Sequence, residues 1–276
     1  MNVGILHPGA MGVSVARSIR DGGHEVYWAS DGRSGASRER ANEHGLVDVG
    51  SLSAVCDRSE IVLSICPPEA ATDVANAVAD AGFKGVFVDT NAISPKRMMT
   101  IDKTLSAAGI SVVDGGIIGL PAWKADGTWL YLSGKDAGLV ANCAGGGLLE
   151  TEVVGPDIGK ASALKMCYAA LSKGTTALIC AILATADELG VRDELAGHWD
   201  RDEAGLAQVR EMKMRGVTEK AWRYVAEMEE IATTFESVGQ TDGFHRAAAD
   251  VYRRLGPLKQ GPHPSDYASV IAAMKG

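Results

Sequence analysis

Residues 2–6 read NVGIL, a short apolar run rich in strand formers, and the next run, AMGVSVARSIRDGG, places apolar residues at helical spacing before HEVYWA returns to strand character. This is the pattern of a βαβ unit. The alternation continues through EIVLSI, a helix over roughly 69–81, GVFVDT, a helix over roughly 95–108, and ISVVDGG; TWLYLSG and TEVVG add strands at the edge. The strands are apolar along their length, which predicts a parallel sheet covered by helices on both faces. After Pro156 the pattern becomes helical throughout. A first helix is expected from about Ile158 to Leu189, with breaks at Gly159 and Gly174, and at about 1.5 Å per residue it reaches nearly 50 Å. Within TEKAWRYVAEMEEIATTFESVG, residues Trp222, Val225, Met228, Ile231, Ala232 and Phe235 form a helical stripe expected to be core, with Thr218–Glu219 and Gly239 marking its ends.

Composition narrows the class. The 276 residues are 46% hydrophobic and 22% charged, with 27 basic and 35 acidic side chains and a net charge of −8, so nucleic acid is not an expected partner. The five cysteines are scattered without C-x-x-C spacing, which points away from a metal site or disulfide framework and towards a reducing cytoplasm. Strand character begins at Asn2 with no charged and apolar run before it, so no secretory leader is expected. The least polar segment, Thr175 to Ala186, is short for a bilayer and follows Lys165 and Lys173, so no membrane span is expected.

The stretch GILHPGAMG joins the first strand to the first helix. Against G-x-G-x-x-G, Gly9 and Gly12 occupy the second and third glycine positions, while His7 replaces the first and Pro8 follows it. Strand, turn and helix in this order are what a dinucleotide-binding turn requires. Gly9 admits the pyrophosphate, Gly12 lets helix and strand approach, and the amides of Ala10, Met11 and Gly12 offer positive potential. A residue before proline is driven to extended conformations, so His7 ends the strand without needing positive φ and Pro8 fixes the bend; both are candidate cofactor-binding positions, His7 either capping the strand or touching a phosphate or the nicotinamide carboxamide. The fold class expected is therefore α/β, a Rossmann-type doubly wound parallel sheet over residues 1–156, followed by an all-α domain over 157–276 begun by a long interdomain helix.

The ribose-reading position falls in ASDGRS. Asp31 suits the two hydroxyls of NAD, whereas Ser30, Arg33 and Ser34 together suit the 2′-phosphate of NADP, and an arginine between two hydroxyls favours NADP(H), with NAD(H) as the alternative.

With these motifs the chain resembles the β-hydroxyacid dehydrogenases, the 3-hydroxyisobutyrate dehydrogenase and 6-phosphogluconate dehydrogenase family, to which the imine reductases are related. GILHPGAMG is similar to its G-x-x-G-x-G-x-M-G, retaining Gly4, Gly9, Met11 and Gly12; SICPPEAA falls where the family passes the nicotinamide ribose; DTNAISP resembles D-x-S-T-x-S-P. The resemblance places Cys66, Pro67 and Asn91 with the cofactor. GKASALKMCYAA is similar to the segment carrying the family's catalytic lysine, which makes Lys165 the general acid/base. It also implies a homodimer whose helical domains complete each other's clefts.

The substrate positions depart from the family. Ala169 stands where asparagine is common, and Tyr168 either supplies a hydroxyl in its place or is a packed aromatic. DGGIIGLP replaces D-x-P-V-S-G-G, with Ile118 at the serine position; the amides of Gly115, Gly116 and Gly119 form either an anion nest or a tight turn. AEMEEIA lacks the family's later lysine, and Glu227 with its neighbours is either a solvated face or a negative wall favouring an amine-bearing substrate. Trp222 and His245 are further pocket candidates, with Arg223 and Phe244 beside them. The leading expectation is an NADP-dependent oxidoreductase acting on a small polar hydroxy or keto compound through Lys165. Imine reduction is the runner-up, and a cofactor-binding sensor without turnover is the third reading.

Overall fold

The computed structural model describes residues 1–261 and 263–275. It divides into two compact units, Met1–Met166 and Cys167–Gly276.

The first unit is built on an eight-stranded sheet. Its strands are β1 (Asn2–Ile5), β2 (Glu25–Trp28), β3 (Val47–Asp48), β4 (Ile61–Ser64), β5 (Val86–Asp89), β6 (Ser111–Gly119), β7 (Thr128–Ser133) and β8 (Glu150–Gly155), in spatial order β3-β2-β1-β4-β5-β6-β7-β8. The first six run parallel, β7 is antiparallel to β6, and β8 is parallel to β7. The strand order reverses beside β1, which is where an open α/β sheet leaves a crevice for a ligand at its carboxyl edge.

Helices cover both faces, as the apolar strands require. The helices α1 (Ala10–Asp21), α2 (Gly35–Glu43) and α6 (Ala137–Ala144) contribute to a core with Ile5, Trp28, Leu63 and Val88. On the other face α3 (Leu52–Arg58), α4 (Ala71–Asp80) and α5 (Pro95–Ala107) pack Val78, Met98, Ile101 and Leu105 against Val62 and Phe87. Each such fully buried aliphatic side chain is worth about 1.5–3 kcal/mol over an exposed one.

Three of these helices lack a clear signal in the sequence. α2 is polar and buries only Ala41, and its start is set by the Ser34 cap, whose hydroxyl accepts from the Ser37 amide. α3 is short and likewise capped by a serine, Ser51, while α6 is a short alanine-rich turn at the sheet edge. The strand at ISVVDGG also runs further than its pattern implies, through Gly119, because β7 pairs with it from Asp114 onwards.

The long helix α7 (Lys160–Glu188) is unbroken at Gly174, where an added Cβ would meet open space. Gly159 precedes it at φ +99°, a conformation that favours glycine. Its first turns are bonded to β6 and belong to the first unit, so the compact units part at Met166 rather than at the 156/157 boundary expected from pattern. By length and composition alone α7 is long and apolar enough to cross a bilayer, a test that the core helix of a soluble protein passes equally, and Thr175–Ala186 is only part of it.

In the second unit α8 (Arg192–Asp202), α9 (Leu206–Gly216), α10 (Ala221–Ser237), α11 (Gly243–Leu255) and α12 (Tyr267–Lys275) follow. α10 buries Ala221, Ala226, Met228, Ile231 and Ala232, which bears out the lower part of the expected stripe. Trp222 is instead 43% exposed, with the Lys259 ammonium 4.8 Å from its ring centre. Thr218 does not cap α10, because its hydroxyl donates to the Arg215 carbonyl one turn earlier.

Candidate cofactor and catalytic site

The glycine turn stands at the carboxyl end of β1. The Leu6 amide still bonds to the Leu63 carbonyl at 3.1 Å, and the Gly9 amide then turns back to the His7 carbonyl at 2.8 Å. Among the described residues Asp126 alone combines a side chain with positive φ, so His7 and Pro8 make the turn without strain of that kind. An added Cβ on Gly12 would lie 2.2 Å from the His7 carbonyl oxygen, whereas one on Gly9 would meet nothing within 4 Å. Gly12 thus serves close helix packing, and Gly9 leaves space open. No side chain caps α1, and its first helical bond is Val13 amide to Gly9 carbonyl at 2.9 Å. The amides of Ala10, Met11 and Gly12 precede that bond, which fits the pyrophosphate of a dinucleotide.

Two buried polar atoms beside this turn, His7 Nδ1 and Arg33 Nε, have no hydrogen-bond partner among the described residues. Burial first, and the Arg33 charge second, bring His7 down to about 4, so its imidazole is neutral at physiological pH. A second arginine, Arg40, donates from Nε to the Pro8 carbonyl at 3.2 Å and ties α2 to the turn. Nothing in the sequence pattern singles Arg40 out.

At the end of β2 the candidate donors are unequal. Ser30 is buried, and its carbonyl accepts from Arg38 at 2.9 Å. Ser34 is engaged in capping α2. Asp31 is exposed, with its amide on the Gly50 carbonyl at 3.0 Å. Of the serine and arginine set, Arg33 keeps a buried donor without a hydrogen-bond partner among the described residues.

The loop after β4 carries Cys66 and Pro67. Its Cys66 amide donates to Asn91 Oδ1 at 2.6 Å, and Asn91 Nδ2 donates to Ser64 Oγ at 3.1 Å and to Asp89 Oδ2 at 2.9 Å. Asn91 is 3% exposed, so it touches the loop rather than open space. Burial pushes the Cys66 thiol up to about 11, leaving it protonated. Asp89 is pushed to about 7 by burial, against the pull of its Asn91 hydrogen bonds.

On β6 Asp114 is fully buried and anchors the start of α7. Its Oδ2 accepts from Ser133 Oγ at 2.9 Å and from the amides of Gly159 and Ser162 at 2.9 and 3.0 Å, while Oδ1 accepts from Ser162 Oγ. Gly115 and Gly116 lie in the paired strand opposite Leu132 and Tyr131, so they do not form the loop nest that their amides suggested. Their smallness serves packing: a Cβ on Gly116 would lie 2.7 Å from the Ala161 carbonyl oxygen and 3.0 Å from Lys165 Cβ. Gly119 ends the strand at φ +127°, pressed against the Gly127 backbone, and Ile118 lies opposite Trp129 in the same ladder. The half-buried Lys165 donates from Nζ to the Ile117 carbonyl at 2.5 Å.

In the helical unit Tyr168 is 53% exposed, which separates it from packed aromatics such as Tyr252. Glu227 is ion-paired with Lys173, both largely buried, and the same ammonium lies 4.9 Å from the Tyr224 ring centre. Glu229 pairs with Arg253 at 3.0 Å. Two of the three AEMEEIA carboxylates, Glu227 and Glu229, are thus paired with cations from α7 and α11, which weakens the argument from this segment for an amine-bearing substrate. His245 is buried against Phe235, ring centres 4.2 Å apart, and burial lowers its pKa.

The glycine turn, the strand-order reversal and the loops at the carboxyl edge define a Rossmann-type dinucleotide-binding unit. The chain belongs to the family of the NAD binding domain of 6-phosphogluconate dehydrogenase, which residues 2–144 match; residues 186–255 match a domain of unknown function, DUF1932. It is 29% identical over 195 residues to an uncharacterised 28.5 kDa protein in the 7S RNA 5′ region of Methanothermus fervidus, covering 71% of this chain and 74% of that one. The structure of MTH1747, a conserved protein of unknown function similar to 3-hydroxyacid dehydrogenases, shares 26% identity at a TM-score of 0.68, with 94% of this chain and 98% of that chain covered. In fold alone, the chain is similar to a 3-hydroxyisobutyrate dehydrogenase of Salmonella typhimurium (16% identity, TM-score 0.70, 99% of each chain) and to an imine reductase of Bacillus cereus (18%, 0.55, 99% of each chain).

Proposed function

We propose that the protein is an NADP-dependent oxidoreductase that interconverts an alcohol and a carbonyl on a small polar molecule, with Lys165 as general acid/base. One observation carries this reading. Lys165 is half-buried, and its ammonium is held by the Ile117 carbonyl on β6, whose parallel neighbours β5, β4 and β1 send their carboxyl ends, with the glycine turn, to the same edge of the sheet. The chemistry a bound nicotinamide supplies there is hydride transfer at its C4. Lys165 donates a proton to the oxygen that becomes the alcohol, or accepts it in the reverse direction, and the Ile117 carbonyl keeps the ammonium oriented between turnovers. Arg33 supports NADP over NAD, because a guanidinium with a buried, unpartnered Nε suits a phosphate dianion.

The same reading includes a homodimer. Tyr168, Leu171 and Leu178 along α7 and Leu189 just past its end are 53%, 75%, 60% and 70% exposed, and a second copy is what we propose covers them. Light scattering at micromolar concentration is expected to give the dimer mass, and monomer alone would contradict this part.

The test of the chemistry is turnover. Wild type and Lys165→Ala are incubated with NADPH or NADH and a panel of ketones, hydroxy acids and cyclic imines. Carbonyl turnover that prefers NADPH and falls at least about 100-fold in Lys165→Ala supports the proposal. Imine turnover that survives the substitution would favour imine reduction, and the absence of turnover with every member would favour a sensor.

A further inference from the structure

The segment from Asp89 to Arg97 reaches the loop after β4 at two points. Asn91 Oδ1 accepts the Cys66 amide at 2.6 Å, and Arg97 donates to the Pro68 carbonyl at 2.9 Å. Asn91 is itself held by three donor contacts: its amide to Asp89 Oδ1 at 2.8 Å, and Nδ2 to Asp89 Oδ2 and Ser64 Oγ. Both donors of the carboxamide and its oxygen are thus engaged within the chain, which fixes the oxygen towards Cys66. Ser64 is 0% exposed and Asp89 1% exposed. A carboxyl group buried to that degree is costly unless hydrogen bonds compensate it, and the two from Asn91 do so while fixing Asn91 in place.

Resting on the cofactor reading above, we infer that Asp89, Asn91 and Ser64 are positioning residues that set the backbone at Cys66 for the nicotinamide end of the cofactor, with Asn91 making no direct cofactor contact. The loop is otherwise an Ile-Cys-Pro-Pro run without regular structure up to the 3₁₀ turn Pro68–Ala70, so this brace is what defines its path. Asp89 is the Cα partner of Asp114, the residue that anchors α7, so the supports of the loop and of the Lys165 helix lie side by side on β5 and β6.

A reciprocal exchange tests the brace. Asp89→Asn leaves two amide groups facing each other, and Asn91→Asp leaves two carboxyl groups facing each other. Combined, the two substitutions re-form four hydrogen bonds with roles exchanged, one carboxamide N–H being left over: the carboxamide at 89 accepts from the residue-91 amide and donates to the residue-91 carboxylate, whose oxygens accept from the Cys66 amide and the Ser64 hydroxyl. Cofactor affinity, read from NADPH fluorescence, is expected to weaken at least about tenfold in each single variant and to return to within about threefold of wild type in the double variant. Hydrogen exchange at the Cys66 amide reads the brace without any cofactor: slow in wild type and the double variant, and faster in either single variant. Single variants that remain folded with wild-type affinity and unchanged exchange would overturn the inference, as would a double variant no better than the worse single. If wild type binds neither NADPH nor NADH while the Cys66 exchange follows the expected order, the brace stands and the cofactor reading fails.

Discussion

Gly9 and Gly12 differ at the scale of single atoms. An alanine at 12 drives a methyl into the His7 carbonyl oxygen, so Gly12→Ala is expected to cost about 1–3 kcal/mol of stability, read by denaturant unfolding. Gly9→Ala meets no protein atom and should leave stability within about 0.5 kcal/mol of wild type while weakening NADPH binding. Equal binding by wild type and Gly9→Ala would place the pyrophosphate elsewhere. His7 adds a pH dependence. Its folded pKa of about 4 lies below the ordinary 6.5, so between these values the unfolded chain binds the extra proton and stability rises with pH. His7→Gln removes that contribution, and melting temperatures should then fall less on acidification from 6.5 to 4. Asp89 acts in the opposite sense: raised from 3.8 to about 7, it stabilises the protonated fold, and that stability is lost as pH rises through about 7. At this scale the sequence was most legible where a role is local, as in the glycine turn. Asn91 and Ser64, 27 positions apart, meet only because β4 and β5 pair, and spacing carries no sign of it.

Among elements, α7 and α10 show why helix patterns gave the right scaffold and the wrong charge. The spacing of Met228, Ile231 and Ala232 marks the buried face of α10, as the structure bears out. Glu227 sits beside that face and looks unpaired in sequence, yet its partner Lys173 lies 54 positions away on another helix. Both side chains are about 14% and 13% exposed, so removing one partner leaves a largely buried charge. Lys173→Met is expected to cost about 3–5 kcal/mol in denaturant unfolding, and the double variant with Glu227→Leu to recover much of it. A loss under about 1 kcal/mol for the single variant would show the pair to be solvated. The segment DGGIIGLP was legible only in part: ISVVDGG reads as a strand, but its continuation through Gly119, and the close approach of α7 to Gly116, come from the pairing of β7 and the packing of α7.

Across the whole molecule, the strand alternation up to Gly155 and its cessation afterwards give both units and their order. What composition could not express is that the first turns of α7 belong with the sheet through Asp114. A dinucleotide turn, a braced loop and an oriented lysine meet in the proposed reaction, in which hydride passes between nicotinamide and the carbon bearing an oxygen. NADPH deuterated at C4 on the transferring face, supplied with the substrate panel, tests that transfer most directly. One deuterium is expected on the carbon that carries the new hydroxyl, read by mass spectrometry and NMR of the product. Deuterium on a carbon bonded to nitrogen, or products and substrates without label, would contradict it.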